Sequence, residues 1–424
     1  MIDPVTNKGA RDARMPAGFR ALTHPGFRLY FVGMLLRGTA VWMQLIGLPW
    51  YAVELGAGPF EVGIVTACQS LPFLFVAPLG GVIADRVDRA RVLIAAQAGV
   101  VIQSTAMFGL VQSHTGTLPI IGLLGLVSGT LIAFELPVRQ AYLIDLVPPE
   151  DVTSAVSLHS TAFNTTRFIG PGLAGILIAS VGVGGVFATA GVFALGVGLT
   201  VALGERSKPH QRVIEHSDLS VREAFVEGAR YAAGEPRIRT ALLFVAAASI
   251  FGIQAFQTLA PLFIVETLKL DGGAYGAYMA VWGGGAVVTA YVVTLIASGD
   301  RRRWLFGGSA ALALLLAALS FTTSAPVAFV LAGLIGAGQI SLVTNALVTV
   351  QSSVPDALRG RVLGFYTTLY QGTAPIGAIL TGAVAGALGV RFAMLFGAMA
   401  LGISVVVGFT ATRSRWSAPR ILSD

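Results

Sequence analysis

Long apolar runs, each closed by a short cluster of polar or charged positions, recur twelve times along this chain. They fall at roughly 28–53, 60–84, 91–112, 118–145, 153–180, 184–204, 238–265, 273–297, 304–323, 326–351, 361–388 and 391–411. About 20 helical residues cross a hydrocarbon core about 30 Å thick, so each run is long enough to span a bilayer. The pattern predicts an all-α integral membrane protein with twelve transmembrane helices arranged as two six-helix bundles.

One long polar stretch, 205–237, interrupts this rhythm. It divides a first bundle with its tail (1–204) from a second bundle with its tail (238–424). Within it, Ser220 followed by Glu223 reads as a capping box that opens a short amphipathic helix running to about Ala233. Phe225 and Ala229 would share one side of that helix, with Glu223, Glu227 and Arg230 more solvated. Gly234 and Pro236 would stop it. The halves also repeat. An ungapped shift of 207 residues brings Val147-Pro148 onto Val354-Pro355, and Gly170, Gly175 and Gly182 onto Gly377, Gly382 and Gly389. A second, weaker match relates Asp88-Arg89 and Arg91 to Asp300-Arg301 and Arg303, with Ala297 opposite Asp85. Parallel six-helix repeats are a hallmark of rocking secondary transporters.

Composition agrees. The chain is 55% hydrophobic and 12% charged, against about 25% charged in soluble proteins, and its mean hydropathy is +0.77. Charge placement then orients the spans. Of the 28 Lys and Arg residues, all but five fall on one side of a twelve-span chain. The exceptions are Lys269 and Arg391 on the other side, and Arg37, Arg139 and Arg167 within spans. The positive-inside rule makes the basic side cytoplasmic and puts both termini there, in a bacterial inner membrane. The net charge of +7 is therefore a topology signal, which argues against a nucleic-acid partner. The polar, basic residues 1–27 precede a first run too long for a signal-peptide core, so that run is expected to stay as a span. Cys68 is the one cysteine and allows no intramolecular disulfide. The only lysines, Lys8, Lys208 and Lys269, form no phosphate-binding Gly-Lys-Ser/Thr loop, so ATP is not the expected energy source. No residue cluster has metal-ligand spacing, and no cofactor is expected.

Four ionisable side chains lie deep in the spans: Arg37, Glu135, Arg139 and Arg167. Each costs roughly 2.5–3.5 kcal/mol to insert and calls for a partner or a water-filled cavity. At 1.5 Å per residue all four lie about 9–21 Å from the cytoplasmic ends, so they could meet. Glu135 and Arg139, spaced i, i+4, share a helix face. Two readings of Glu135 stand side by side: a proton-coupling carboxylate, or a permanent ion-pair partner of Arg139 or Arg37. The arginines, in net excess, are also candidates to hold an anionic group of the substrate. In the other half only neutral polar groups reach similar depth, namely Gln254, Gln257, Asn345 and Gln371. They are suited to a polar substrate or to a neighbouring helix. Trp42, Trp50, Phe134, Phe163, Phe251 and Phe256 are candidates to line an apolar pocket, with lipid-facing packing as the default for each.

The turn Gly80–Leu93 resembles the signature of the major facilitator superfamily through Gly81, Asp85, Arg86, Arg89 and Arg91, with Asp88 in place of a second Gly. Its Asp-Arg-x-Asp-Arg form is similar to the subgroup containing the enterobactin exporter and macrolide efflux proteins. So are Phe27-Arg28, Trp42-Met43, Leu48-Pro49-Trp50, Asn164 with Arg167 and Gly170-Pro171, and Pro355-Asp356 with Arg359-Gly360-Arg361. The resemblance implies that Asp85 meets the helix starting near Arg361 and that the turn acts as a gate. Taken without the family, it is a basic turn that sets topology and grips anionic lipid. Gly170, Pro171 and Gly175 resemble the helix-5 signature of drug and solute antiporters, with Ala174 where that signature has Gly. Together these features lead to the expectation of a monomeric, proton-coupled exporter of a small siderophore-like or drug-like molecule. A facilitator, an importer or a lipid-moving transporter of the same fold is the alternative. A membrane enzyme or receptor would need a catalytic constellation or soluble module that the sequence does not display.

Overall fold

The computed structural model describes residues 16–76, 88–204, 221–296 and 301–412. Among them there is no strand. In chain order the helices are α1 (Pro25–Glu54), α2 (Pro59–Val76), α3 (Arg89–Gln112), α4 (Leu118–Asp145), α5 (Val152–Val181) and α6 (Val183–Gly204). After α7 (Val221–Gly234) come α8 (Pro236–Thr267), α9 (Gly272–Ile296), α10 (Arg301–Phe321) and α11 (Ala325–Ser353). Last are α12, in two pieces at Asp356–Gln371 and Ala374–Leu388, and α13 (Val390–Thr412). Ten of these are long and apolar enough to cross a membrane. Outside that set are the short α7, α9, and α5 with its polar stretch Asn164–Arg167. α5 packs extensively on α9, and a helix that faces protein need not be as apolar as one that faces lipid.

The helix ends follow from local sequence. Proline lies in the first turn of α1, α2, α4, α8 and α11, where its missing N–H is no loss. Asp88 caps α3, its carboxylate accepting from the N–H groups of Ala90 (3.0 Å) and Arg91 (3.2 Å). Gly182 and Gly389, paired by the 207-residue repeat, close α5 and α12 with φ of 79° and 91°, a left-handed turn that glycine adopts without strain. Before α1, a turn at Ala17–Thr23 is clasped to the start of α5: Ala21 N–H donates to Ser154 Oγ (3.1 Å), and His24 pairs with Asp151 (2.8 Å).

Packing repeats as the sequence does. In the first half α1 packs on α5 and α6, α3 on α4 and α6, and α2 on α4. In the second half α8 packs on α12 and α13, α10 on α11 and α13, and α9 on α11. Two seams join the halves, α5 against α9 and α2 against α12. Both are built on glycine. A Cβ on Gly175 would meet Gly276 Cα at 2.7 Å, and one on Gly382 would meet Gly63 Cα at 3.0 Å. Gly175 and Gly382 are themselves partners in the repeat, so the two seams are copies of one arrangement. Near the end of the molecule where α1 meets α2, Trp50 stacks on Tyr275 with centroids 5.4 Å apart. From there the seams run inward to Gly283 beside the Arg167 backbone and to Gly372 beside Leu74.

Candidate functional site

Three of the four deep charges meet. Arg37 Nε donates to Glu135 Oε2 at 2.7 Å, its Nη2 lies 2.7 Å from the same oxygen, and Arg139 Nη1 is 3.7 Å from Oε1. The Arg37 and Glu135 side chains are both 2% exposed, so the pair is dry, and removing one partner of such a pair costs about 3–5 kcal/mol. Protonating Glu135 would leave two cations facing each other. The triad lies among α1, α3, α4 and α6, around a cavity lined by Tyr30, Gln97, Val197 and Val201 among others. That cavity offers about 10 Å³ to the centre of a water-sized sphere. This holds one water and no organic substrate.

Arg167 is elsewhere, which corrects the expectation that all four could meet. It projects from α5 toward the second half, its guanidinium carbon 5.1 Å from the ring of Trp42 on α1 and 5.5 Å from that of Trp282 on α9. It is 7% exposed. The two rings contact each other at 5.8 Å. Trp282 Nε1–H donates to Gln339 Oε1 (3.2 Å), and Gln339 Nε2–H donates to the Tyr370 hydroxyl (3.4 Å), which lies within electrostatic reach of Arg167. Trp42 was a sequence candidate; Trp282, Gln339 and Tyr370 were not, because single aromatic or amide residues in apolar helices carry no signal until a neighbour is known.

The remaining candidates divide. Asn164 donates to Ser160 O and Asn345 to Ser341 O, each one turn back on its own helix (2.9 and 2.8 Å). Gln254 is buried beside Gly377 and accepts from Thr258 (3.0 Å), while Gln257 and Gln371 are half-buried. Gly170 packs against Thr39 O at 3.0 Å from an added Cβ, and its repeat partner Gly377 against Ile250 O at 2.7 Å. Pro171 follows directly and Gly175 lies just over one turn on, in the cross-half seam. The glycines of this motif thus hold α5 to α1 on one side and to α9 on the other.

Of the gate residues, Gly81, Asp85 and Arg86 lie outside the described residues. Arg89 is bound within its own half, to both oxygens of Asp145 at the end of α4 (2.8 and 2.7 Å). Arg91 is exposed, 3.7 Å from Asp88. The start of α12 is met by α7: Glu227 pairs with Arg361, and Gly228 abuts the Arg361 backbone. The Glu227 side chain stays 45% exposed while making this pair.

A profile described as transmembrane secretion effector matches residues 17–422. The chain belongs to that family, within the major facilitator superfamily. It is similar to the staphyloferrin A transporter of Staphylococcus aureus, 32% identical over 153 residues that cover 36% of this chain and 38% of the relative. The multidrug efflux pump Tap of Mycolicibacterium fortuitum is 24% identical over 396 residues, 87% of this chain and 91% of the pump. Among solved structures, a bacterial homologue of the human lysosomal transporter Spinster, inward-facing and unoccupied, superposes with a TM-score of 0.74 at 14% identity. That match covers 92% of this chain and 97% of the other. The protein is a multi-pass membrane transporter of small molecules, not an enzyme.

This major facilitator transporter also holds a polar cluster that its sequence did not advertise. Gln44 donates to Ser104 Oγ and accepts from Ser128 (both 2.8 Å), tying α1 to α3 and α4. With both ends of the amide satisfied, the cluster holds the first half together and offers nothing to a ligand.

Proposed function

We propose that the protein is a proton-coupled exporter of a small organic molecule, working by alternating access. In this reading twelve spans form two six-helix bundles (residues 1–204 and 238–424) joined by a cytoplasmic segment (205–237) carrying α7. The observation that carries it is the pair of glycine seams. The α5–α9 and α2–α12 contacts relate by the repeat and are built around close glycine-to-backbone approaches at the end where α1 meets α2; in this reading the end that carries the termini opens in alternation with it. Small-residue contacts let helices slide and part without exposing large apolar side chains. Both termini are then cytoplasmic.

Glu135 is the proposed proton site. Its ion pair with Arg37 would loosen when α1 shifts against α4 within the first half as the cycle proceeds, letting the carboxylate take a proton. The names of the relatives, a siderophore transporter and a multidrug efflux pump, favour export. Asp85, with Gly81, Arg86, Arg89 and Arg91, remains the proposed gate, Arg89 serving it by anchoring the turn to Asp145. The protein is proposed to act as a monomer in a bacterial inner membrane. Uptake of a labelled macrolide and a labelled carboxylate siderophore into inverted vesicles tests the reading. Accumulation of either that depends on an acidic lumen supports it, and accumulation indifferent to the gradient overturns proton coupling.

A further inference from the structure

We propose that Arg167, clamped between Trp42 and Trp282, recognises a carboxylate group on the transported molecule. The inference rests on the transport reading and names its substrate class. Arg37 and Arg139 both face Glu135 around a cavity with room for one water and no organic substrate, so the anion-binding role open to three arginines falls to Arg167. Arg167 is buried, and among the described residues no carboxylate is in ion-pair contact with it. Its Nε and Nη1 have no hydrogen-bond partner, and neither has the indole Nε1 of Trp42 beside it. Each unpaired group is a donor. The neighbouring Tyr370 hydroxyl is neutral and does not balance a cation. The ring faces attract the guanidinium, yet they satisfy none of its N–H groups. What completes this site is a ligand that brings negative charge and acceptor oxygens together.

The position suits a transporter. The cage takes Trp42 and Arg167 from the first half and Trp282, Gln339 and Tyr370 from the second, so an anion bound there is held by both bodies that must move. Phe163 beside Trp42 and Phe256 beside Trp282, each at 6.1 Å between centroids, continue the aromatic walls. A flat or apolar body bearing a carboxylate fits these walls, and a cationic drug would meet a like charge.

The test uses the full-length protein in detergent, reading tryptophan fluorescence on titration with benzoate, hexanoate and citrate, and with inorganic phosphate and tetraethylammonium as counter-probes. Saturable quenching of wild type by at least one carboxylate is expected, with affinity at least tenfold weaker in Arg167→Met and little response to phosphate or tetraethylammonium. Gln339→Glu guards against misfolding of the first variant. It retains Arg167 but places a carboxylate within the cage, and is expected to weaken carboxylate binding by a similar factor. No quenching of wild type by any carboxylate, wild-type affinity retained in either variant, or equal response to phosphate overturns the inference. Binding that follows this pattern in a protein whose transport ignores the pH gradient would sink proton coupling and leave the carboxylate site standing. Gradient-driven efflux unaltered in Arg167→Met would do the reverse.

Discussion

At the scale of single residues, the Arg37–Glu135–Arg139 triad poses the sharpest question, because one carboxylate serves both stability and the proposed coupling. The two roles separate by experiment. Glu135→Gln leaves Arg37 buried without a counter-charge and is expected to cost about 3–5 kcal/mol, visible as a lowered melting temperature in detergent. Adding Arg37→Met removes the stranded cation and restores the triad's net charge, so thermal stability should largely return. Gradient-driven efflux should stay lost in both variants; its recovery together with stability would reduce Glu135 to a structural partner. The triad was readable from the sequence as far as its members, since a charge in an apolar run is conspicuous. That Arg167 would turn away from them was not, because depth along a helix is countable and the direction a side chain faces around it is not. The same limit hid Trp282, Gln339 and Tyr370, ordinary residues made significant only by helices distant in sequence.

At the scale of elements, the glycine seams carry the mechanism. A Cβ on Gly276 would run into the backbone of Gly175, and one on Gly382 would lie 2.7 Å from Pro59 O. Neither can be relieved by rotating a side chain. Gly276→Leu is therefore expected to part α5 from α9 and bias the protein toward the state open at the far end. Accessibility of a cysteine introduced at Ala274, probed with a membrane-impermeant thiol reagent in a Cys68→Ser background, should rise several-fold. An unchanged labelling rate would mean that this seam is not a closing contact. The start of α3 is a second element with a definite role. Asp88 was notable in the sequence as a departure from the superfamily signature, and the structure gives it an ordinary task, as the N-cap of α3. Asp88→Ala should cost about 1 kcal/mol of stability and leave substrate binding intact, whereas a loss of binding at unchanged melting temperature would assign it to the transport path. α7 was legible from its capping and breaking residues, but its docking was not. The Glu227–Arg361 pair joins segments that no local pattern relates.

At the scale of the whole molecule, the hydrophobic rhythm, the charge asymmetry and the 207-residue repeat pointed to one architecture before any coordinates. The all-helical, multi-span part of it is what the described residues display, with contacts inside each half that repeat as the sequence does. Such agreement is expected of a membrane chain, where the bilayer enforces helix length and backbone hydrogen bonding so strongly that composition alone constrains the fold. Function is less constrained, because direction and coupling depend on which state each ligand stabilises rather than on contacts in one state. The central claim is therefore a statement about flux. Inverted membrane vesicles containing the wild-type protein, given a labelled macrolide or carboxylate siderophore outside and an acidic lumen, should accumulate at least one of them and release it when the gradient is collapsed. Uptake that proceeds equally with and without the gradient, for whichever compound is carried, would contradict proton-coupled export.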